Sequence, residues 1–166
     1  MITSPQNPKL KLVRALQSRT KARRKENAFI VEGVRLFEEA VKANWPIRFV
    51  LYDRSLSERG QEILNSLNAI DIEEVDSALL NDISDTETSQ GILAVLDDSP
   101  LPLPDSPTFL LIADQIRDPG NLGTLIRTAA AAGVDAVILP SGTTDAFAPK
   151  VLRAGMGAHF RLPIVT

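Results

Sequence analysis

The stretch Asp114–Thr128, DQIRDPGNLGTLIRT, decides the fold of the second half of this 166-residue chain. An apolar run, FLLIA (109–113), precedes it; an alanine-rich run and then AVIL (136–139) follow. Strand, turn, helix and strand within about thirty residues outline a βαβ unit. Pro119 and Gly120 read as the turn, Asn121 as the N-cap and Arg127 as a residue almost two turns into the helix. A Gly-rich turn opening a helix leaves backbone N–H groups free for a phosphate or carboxylate. The same residues also make an ordinary turn and cap, with Gly123 kept for helix–sheet packing and Arg127 solvated. The pattern is G-x-x-G rather than G-x-G-x-x-G, and Pro140-Ser141-Gly142 stands where a dinucleotide site would place an acid, which disfavours a nicotinamide site.

Upstream of this unit, residues 98–107 read DSPLPLPDSP, with four prolines. Such a segment is semi-rigid and poor in both helix and ladder potential, so it marks a boundary between a domain at 1–97 and a second at 108–166. In the first domain Asn7–Ser18 has helical spacing of Leu10, Leu12, Val13 and Leu16, and Arg19–Lys25 reads as a basic helix end or loop. Phe29–Val31 is a short buried strand, and a helix from Gly33 puts Val34, Phe37, Ala40 and Val41 on one side. Strands follow at 47–52, 70–75 and 92–96, with helices at 56–67 and 77–83; Gly60 is a weak point in the first of these helices. Alternating strands and helices predict a small α/β sandwich. In the second domain a helix over 146–156 and a strand over 161–165 follow the βαβ unit.

Composition narrows the chemistry. There is no cysteine and a single histidine, His159, so thiolate and His-rich metal sites are excluded and no metal is expected; His159 reads as a surface or packed residue. No apolar run approaches the roughly 20 residues that cross a bilayer, and the polar, basic N-terminus has no signal region. A soluble protein is expected, cytoplasmic or in an organelle after processing. The net charge of −3 hides an asymmetry: residues 1–25 hold Lys9, Lys11, Arg14, Arg19, Lys21, Arg23, Arg24 and Lys25 and no acid. A basic segment on an acidic body suits a polyanion and grips phosphates without reading sequence; a well-solvated helix would have the same composition.

Several motifs in order resemble the SpoU branch of the SPOUT RNA methyltransferases. They are N-x-G-x-x-x-R-T-A (Asn121, Gly123, Arg127, Thr128, Ala129), Asp145, PKVLRAGMG (149–157) and HFRLPIV (159–165), with ITSPQNPKLK (2–11), K-x-R…F-x-V-E-G (Lys21 to Gly33) and QGILAV (90–95) upstream. Gly155 stands where that family more often has serine. The resemblance implies a ribosomal-protein-like, RNA substrate-binding domain ahead of the first half of a Rossmann-like SPOUT domain. It implies S-adenosylmethionine as cofactor, RNA, chiefly ribosomal, as substrate, ribose 2′-O-methylation as the reaction, and a homodimer. Arg127 is then the catalytic residue, with Asn121 near the ribose or orienting Arg127. Gly123 allows close approach of substrate, and Lys9, Lys11, Lys21, Arg23 and Arg24 grip RNA; Glu32 and Gly33 are structural. The family's second and third motifs, G-x-E-x-x-G and I-P-M…S-L-N-V, which form the knot and cofactor pocket, are not in these residues. On that ground the sequence reads as a shortened, inactive form of a longer enzyme. The competing readings are a non-catalytic RNA-binding protein and a small nucleotide-binding enzyme unrelated to RNA.

Overall fold

The structure, a computed structural model, describes residues 1–86 and 88–166. It divides into two compact units, Met1–Asp98 and Ser99–Thr166. In the first unit the order is α1 (Pro8–Ser18), α2 (Thr20–Glu26), β1 (Ala28–Glu32), α3 (Val34–Lys42), β2 (Ile47–Tyr52), α4 (Glu58–Asn65), β3 (Asp71–Glu74), α5 (Ser77–Asp82) and β4 (Ile92–Asp97). The sheet runs β1-β4-β2-β3. β4 is antiparallel to both neighbours, and β2 and β3 are parallel.

Alternation along the strands builds both faces. Ala28 and Ile30 of β1, Phe49 and Leu51 of β2, and Leu93 and Val95 of β4 join Leu10, Val13 and Leu16 of α1 and Leu80 beside Ile83 in one core. Phe29 and Val31 face the other way, where α3 packs against β1 and β4. There Phe29 meets Trp45 edge-on, with ring centroids 6.1 Å apart. On α3 the buried side is Val34, Leu36, Phe37 and Ala40; Leu36 takes the place expected of Val41, which is half-buried. Gly60 is a packing contact rather than a weak point. It is buried, and a Cβ there would lie 2.8 Å from Leu56 Cγ and 3.3 Å from Val34 Cγ2, so its bareness seats α4 against α3.

The basic segment is a true helix, α2, and it breaks from α1 at Arg19, whose backbone is extended (φ −131°, ψ 114°). Arg23 secures this break. It is buried, and its guanidinium donates to the carbonyls of Leu16 and Gln17 and to Thr20 Oγ1. The last carbonyls of a helix have no partner within it, and Arg23 provides one. Arg23→Met should therefore lower unfolding free energy by about 1–3 kcal/mol, the cost of stranding buried carbonyls, read from a urea titration.

The second unit carries β5 (Leu110–Ile112), α6 (Pro119–Ala131), β6 (Ala136–Ile138), α7 (Pro149–Gly155), a 3₁₀ turn (Ala158–Phe160) and β7 (Ile164–Val165). Its sheet is parallel throughout, in the order β5-β6-β7. Leu111, Val137 and Ile164 share a core with Leu122, Ile126 and Ala129 of α6 and Val151 of α7. Leu110 and Ile112 point away and are exposed. α7 is shorter than the expected 146–156 helix because Pro149 has no N–H to give and sits as its first residue. Residues 145–148 turn instead, with Ala148 N–H bonded to Asp145 O at 3.1 Å.

Candidate functional site

The site region is the carboxyl end of the second sheet, where open α/β folds bind ligands. The loop 114–118 leaves β5 there and the loop 140–148 leaves β6. The two are tied together: Thr143 Oγ1 donates to Ala113 O at 3.0 Å, and Thr144 N–H donates to Ile116 O at 2.8 Å. Helix α6 starts from the first loop. Its cap is Asp118, whose Oδ1 accepts from Asn121 N–H at 2.7 Å. Asn121 is therefore not the N-cap; it lies within the first turn. Pro119 and Gly120 are the first two helical residues, not a preceding turn. The legible signal was Asp before Pro, a cap residue followed by the residue best suited to the first helical position.

Along α6 the exposed and buried faces separate cleanly. Asn121, Thr124, Arg127 and Thr128 are exposed, and Leu122, Gly123, Ile126 and Ala129 are buried. Arg127 has no hydrogen bond or ion pair among the described residues. Asn121 and Arg127 are six residues apart, roughly 9 Å along a helix axis, and no hydrogen bond joins them. An orienting bond from Asn121 to Arg127 is thus absent.

Gly123 does not offer its bare face to a substrate. A Cβ there would stand 2.5 Å from Ala154 Cβ and 2.9 Å from Gly155 N, and closer still to the Val151 carbonyl oxygen. The close approach that it permits is that of α7. Arg127 is four residues on, so it emerges on the same flank of α6, beside this helix–helix seam. Gly155 has a parallel reason. A side chain there would lie 2.7 Å from Nδ1 of His159, so glycine leaves room for the imidazole.

His159 is fully packed in the core of the unit and bonds Ala146 O through Nε2 at 2.9 Å. The bond fixes Nε2 as the donor of the neutral ring. Burial pushes its pKa down to about 4, against the opposing pull of the Ala146 bond and the nearby Asp145 charge. The unfolded chain takes up this proton near pH 6.5 and the folded chain only near pH 4, so protonation favours unfolding. Stability should be full above pH 6.5 and fall by about 3 kcal/mol as pH drops to 4. Urea midpoints of the protein and of His159→Phe across this range test it: the variant should lose the slope, and parallel curves would exclude His159 as its source.

The basic residues of the first unit divide into two groups. Lys9 lies over the Phe49 ring at 5.1 Å and bonds to Asp71 at 2.5 Å and to Glu73. Burial works against its charge, but the bonds to Asp71 and Glu73 hold its pKa above the usual lysine value. Lys9 and Arg23, both expected to grip RNA, are thus engaged internally. Lys11, Lys21 and Arg24 are exposed and carry no ion pair among the described residues. Lys21 and Arg24 are neighbours on α2, three residues apart. Glu32 accepts from Ser84 Oγ, from Asp85 N–H at 3.1 Å and from Thr86 Oγ1 at 2.7 Å, and so anchors the loop before β4.

Comparison with known proteins gives both halves a family. Residues 7–94 match the MRM3-like substrate binding domain, and residues 108–166 match the SpoU rRNA Methylase family. The chain is 37% identical over 169 residues to rRNA methyltransferase 3, mitochondrial, of Xenopus laevis, covering 98% of this chain and 40% of that protein. It is 38% identical over 164 residues to the 23S rRNA (guanosine(2553)-2′-O)-methyltransferase RlmP of Bacillus subtilis, covering 99% and 64%. The crystal structure of the SpoU methyltransferase AviRb from Streptomyces viridochromogenes, in complex with the cofactor AdoMet, superposes with a TM-score of 0.88 at 29% identity, covering 96% of this chain and 63% of that one. The chain spans between two fifths and just under two thirds of the length of these relatives. No helix among the described residues is long and apolar enough to cross a membrane. By motif order, matched segments and fold, the chain belongs to the SpoU family of rRNA methylases, with an MRM3-like substrate-binding domain as its first unit.

Proposed function

We propose that the protein carrying this chain methylates the 2′-hydroxyl of a ribose in ribosomal RNA, using S-adenosylmethionine. The observation that carries this reading is Arg127: an exposed guanidinium, without a partner among the described residues, on the first helix of the SpoU segment. A ribose 2′-hydroxyl is a weak nucleophile, so the site must favour the developing alkoxide and align it. Arg127 suits this as a fixed charge. A guanidinium stays protonated in proteins, and its fork can hold an RNA phosphate and the alkoxide together. Asn121, near the start of the same helix, supplies an amide for the ribose or its phosphate. Lys11, Lys21 and Arg24 hold the RNA backbone from the first unit.

Bound S-adenosylmethionine supplies an electrophilic methyl group. The described residues do not by themselves fit that cofactor. Asp114, Gln115, Arg117, Asp118, Asn121 and Arg127, the polar side chains of the first loop and the exposed face of α6 at this end of the sheet, are all exposed, so no cofactor contact is assigned to them. A cytoplasmic homodimer completes the reading.

Methylation at the 2′-position removes the hydroxyl that alkali needs to cleave the adjacent phosphodiester. The whole protein, incubated with methyl-labelled cofactor and a ribosomal RNA transcript, should therefore place label in alkali-resistant dinucleotides. Label in mononucleotides, or none in RNA, rejects the assignment.

A further inference from the structure

The first unit holds a cavity that this mechanism leaves unused. It has a volume of about 310 Å³ and is lined by Val34, Arg35, Ser55, Ser57, Arg59 and Gln90. That is the small end of the range for ligand sites, roughly 300–1,000 Å³. It sits where β1 and β2 end and β4 begins, on the α3 and α4 side of the sheet.

Its hydrogen-bonding capacity is biased towards donors. Gln90 Oε1 accepts from Val34 N–H at 2.9 Å, which leaves its amide N–H groups to donate. Ser57 Oγ accepts from Gly60 N–H at 3.3 Å and keeps its hydroxyl hydrogen. Only Ser55 turns its donor inward, to Asp53 Oδ1 at 2.6 Å. Gly33, at φ 92°, lets the Gln90 carboxamide come close: a Cβ there would be 3.1 Å from Oε1. The remaining donors are the two guanidinium groups.

Those arginines fall under a local rule. Arg35 is the second residue of α3 and Arg59 the second residue of α4. A helix N-terminus carries partial positive charge, so a cation there is poorly placed. Arg59 is offset by Glu38, which also holds Lys42. Arg35 is exposed and has no ion pair among the described residues. Glu58, in the first turn of α4, and Glu38 answer Arg59, whereas the first turn of α3 holds no acid. α3 alone breaks the rule on this donor-lined cavity, and such a break marks a site where a ligand supplies the compensation.

We propose that this cavity is a subsite for a backbone phosphate of single-stranded RNA, held by Arg35 and Arg59 with Gln90 and Ser57 as neutral donors. The proposal rests on the RNA-substrate reading above and gives the substrate domain a second contact, on the opposite layer from Lys11, Lys21 and Arg24. A splayed strand can place one phosphate in a recess of this size, and unpaired segments are the usual targets of RNA-binding modules.

The test is fluorescence anisotropy of a labelled uridylate dodecamer against the full chain over a salt series. Arg35→Ala suits it because Arg35 holds no bond whose loss would disturb the fold, and thermal melting verifies this. Affinity should fall roughly tenfold, and the salt slope should fall by about 0.7, the value for one phosphate contact on a single strand. Lys11→Ala with Lys21→Ala, on the other layer, should weaken binding independently of Arg35→Ala. If the wild-type chain binds and Arg35→Ala matches it in affinity and slope, the subsite is wrong while the RNA reading survives. If the wild-type chain binds no RNA at any salt, both fall together.

Discussion

Arg127→Ala in the whole protein is expected to lower the rate of methyl transfer by about 10²–10³-fold, the usual cost of removing a preorganised donor to a developing oxyanion. Folding should be unaffected. Arg127 is exposed and bonds to no described residue, and alanine is the better helix former. RNA binding should weaken by much less than turnover, because Lys11, Lys21 and Arg24 remain. The split between the two readouts is the informative part. A loss confined to the bound-state rate places Arg127 at the reacting oxygen, whereas an equal loss in RNA affinity makes it only another phosphate contact. Arg127→Lys adds a second handle: it keeps the charge and loses the fork, so partial activity is expected. Turnover at the wild-type rate in Arg127→Ala removes the residue from the mechanism.

Gly123→Ala sets two physical effects against each other. On helix propensity alone the change stabilises by about 1 kcal/mol. On packing it forces a methyl group to within 2.5 Å of Ala154 Cβ and 2.9 Å of Gly155 N, atoms of a neighbouring helix whose backbone cannot yield alone. Overpacking of this kind costs about 1–3 kcal/mol or more, and packing wins. Gly123→Val should go further, by about 3 kcal/mol or more, since its branches meet the same wall. Urea midpoints of the second unit would show it, and a midpoint at or above wild type for alanine would mean that α7 moves away at little cost. Because Arg127 emerges on the same flank of α6, either variant should also reduce methylation, as a consequence of a displaced helix rather than of a lost contact.

Much of this was legible before the structure because the strongest local signals agreed with the tertiary ones. The βαβ outline around Asp114–Thr128 rests on two apolar runs and a capped helix start; strand, helix and strand all form, although the helix begins at Pro119 under an Asp118 cap, earlier than read. What was not legible was the direction in which side chains point. Composition cannot distinguish Arg23, which reaches back to the carbonyls of Leu16 and Gln17, from Arg24 beside it, which is exposed. Lys9 looks free in the sequence because its partners, Asp71 and Glu73, lie on a strand some sixty residues away. Gly123 carried two readings, substrate approach and packing, and only the position of α7 chooses between them. The cavity between Arg35 and Arg59 had no motif of its own: Val34 follows F-x-V-E-G and Gln90 opens QGILAV, but nothing in the sequence shows that the two meet. Its nearest trace in the sequence is the arginine in the first turn of each of two helices, which is visible only once both helix starts are known.

The strand order of the first unit also constrains how the chain can be made. β4 is the last strand to leave the ribosome, yet it occupies the interior of the sheet, pairing Ala28 with Asp97 and Glu32 with Leu93 on one side and Leu51 with Leu93 on the other. Until residue 97 has emerged, β1 has no hydrogen-bonded neighbour, and its apolar residues on both faces lie open. Pairings this distant in sequence are slow to form, and an unpaired strand edge on a nascent chain is prone to aggregate. The proline-rich stretch that begins at residue 100 therefore comes at a useful moment. It holds the next apolar strands back in sequence while the preceding sheet takes in its central member.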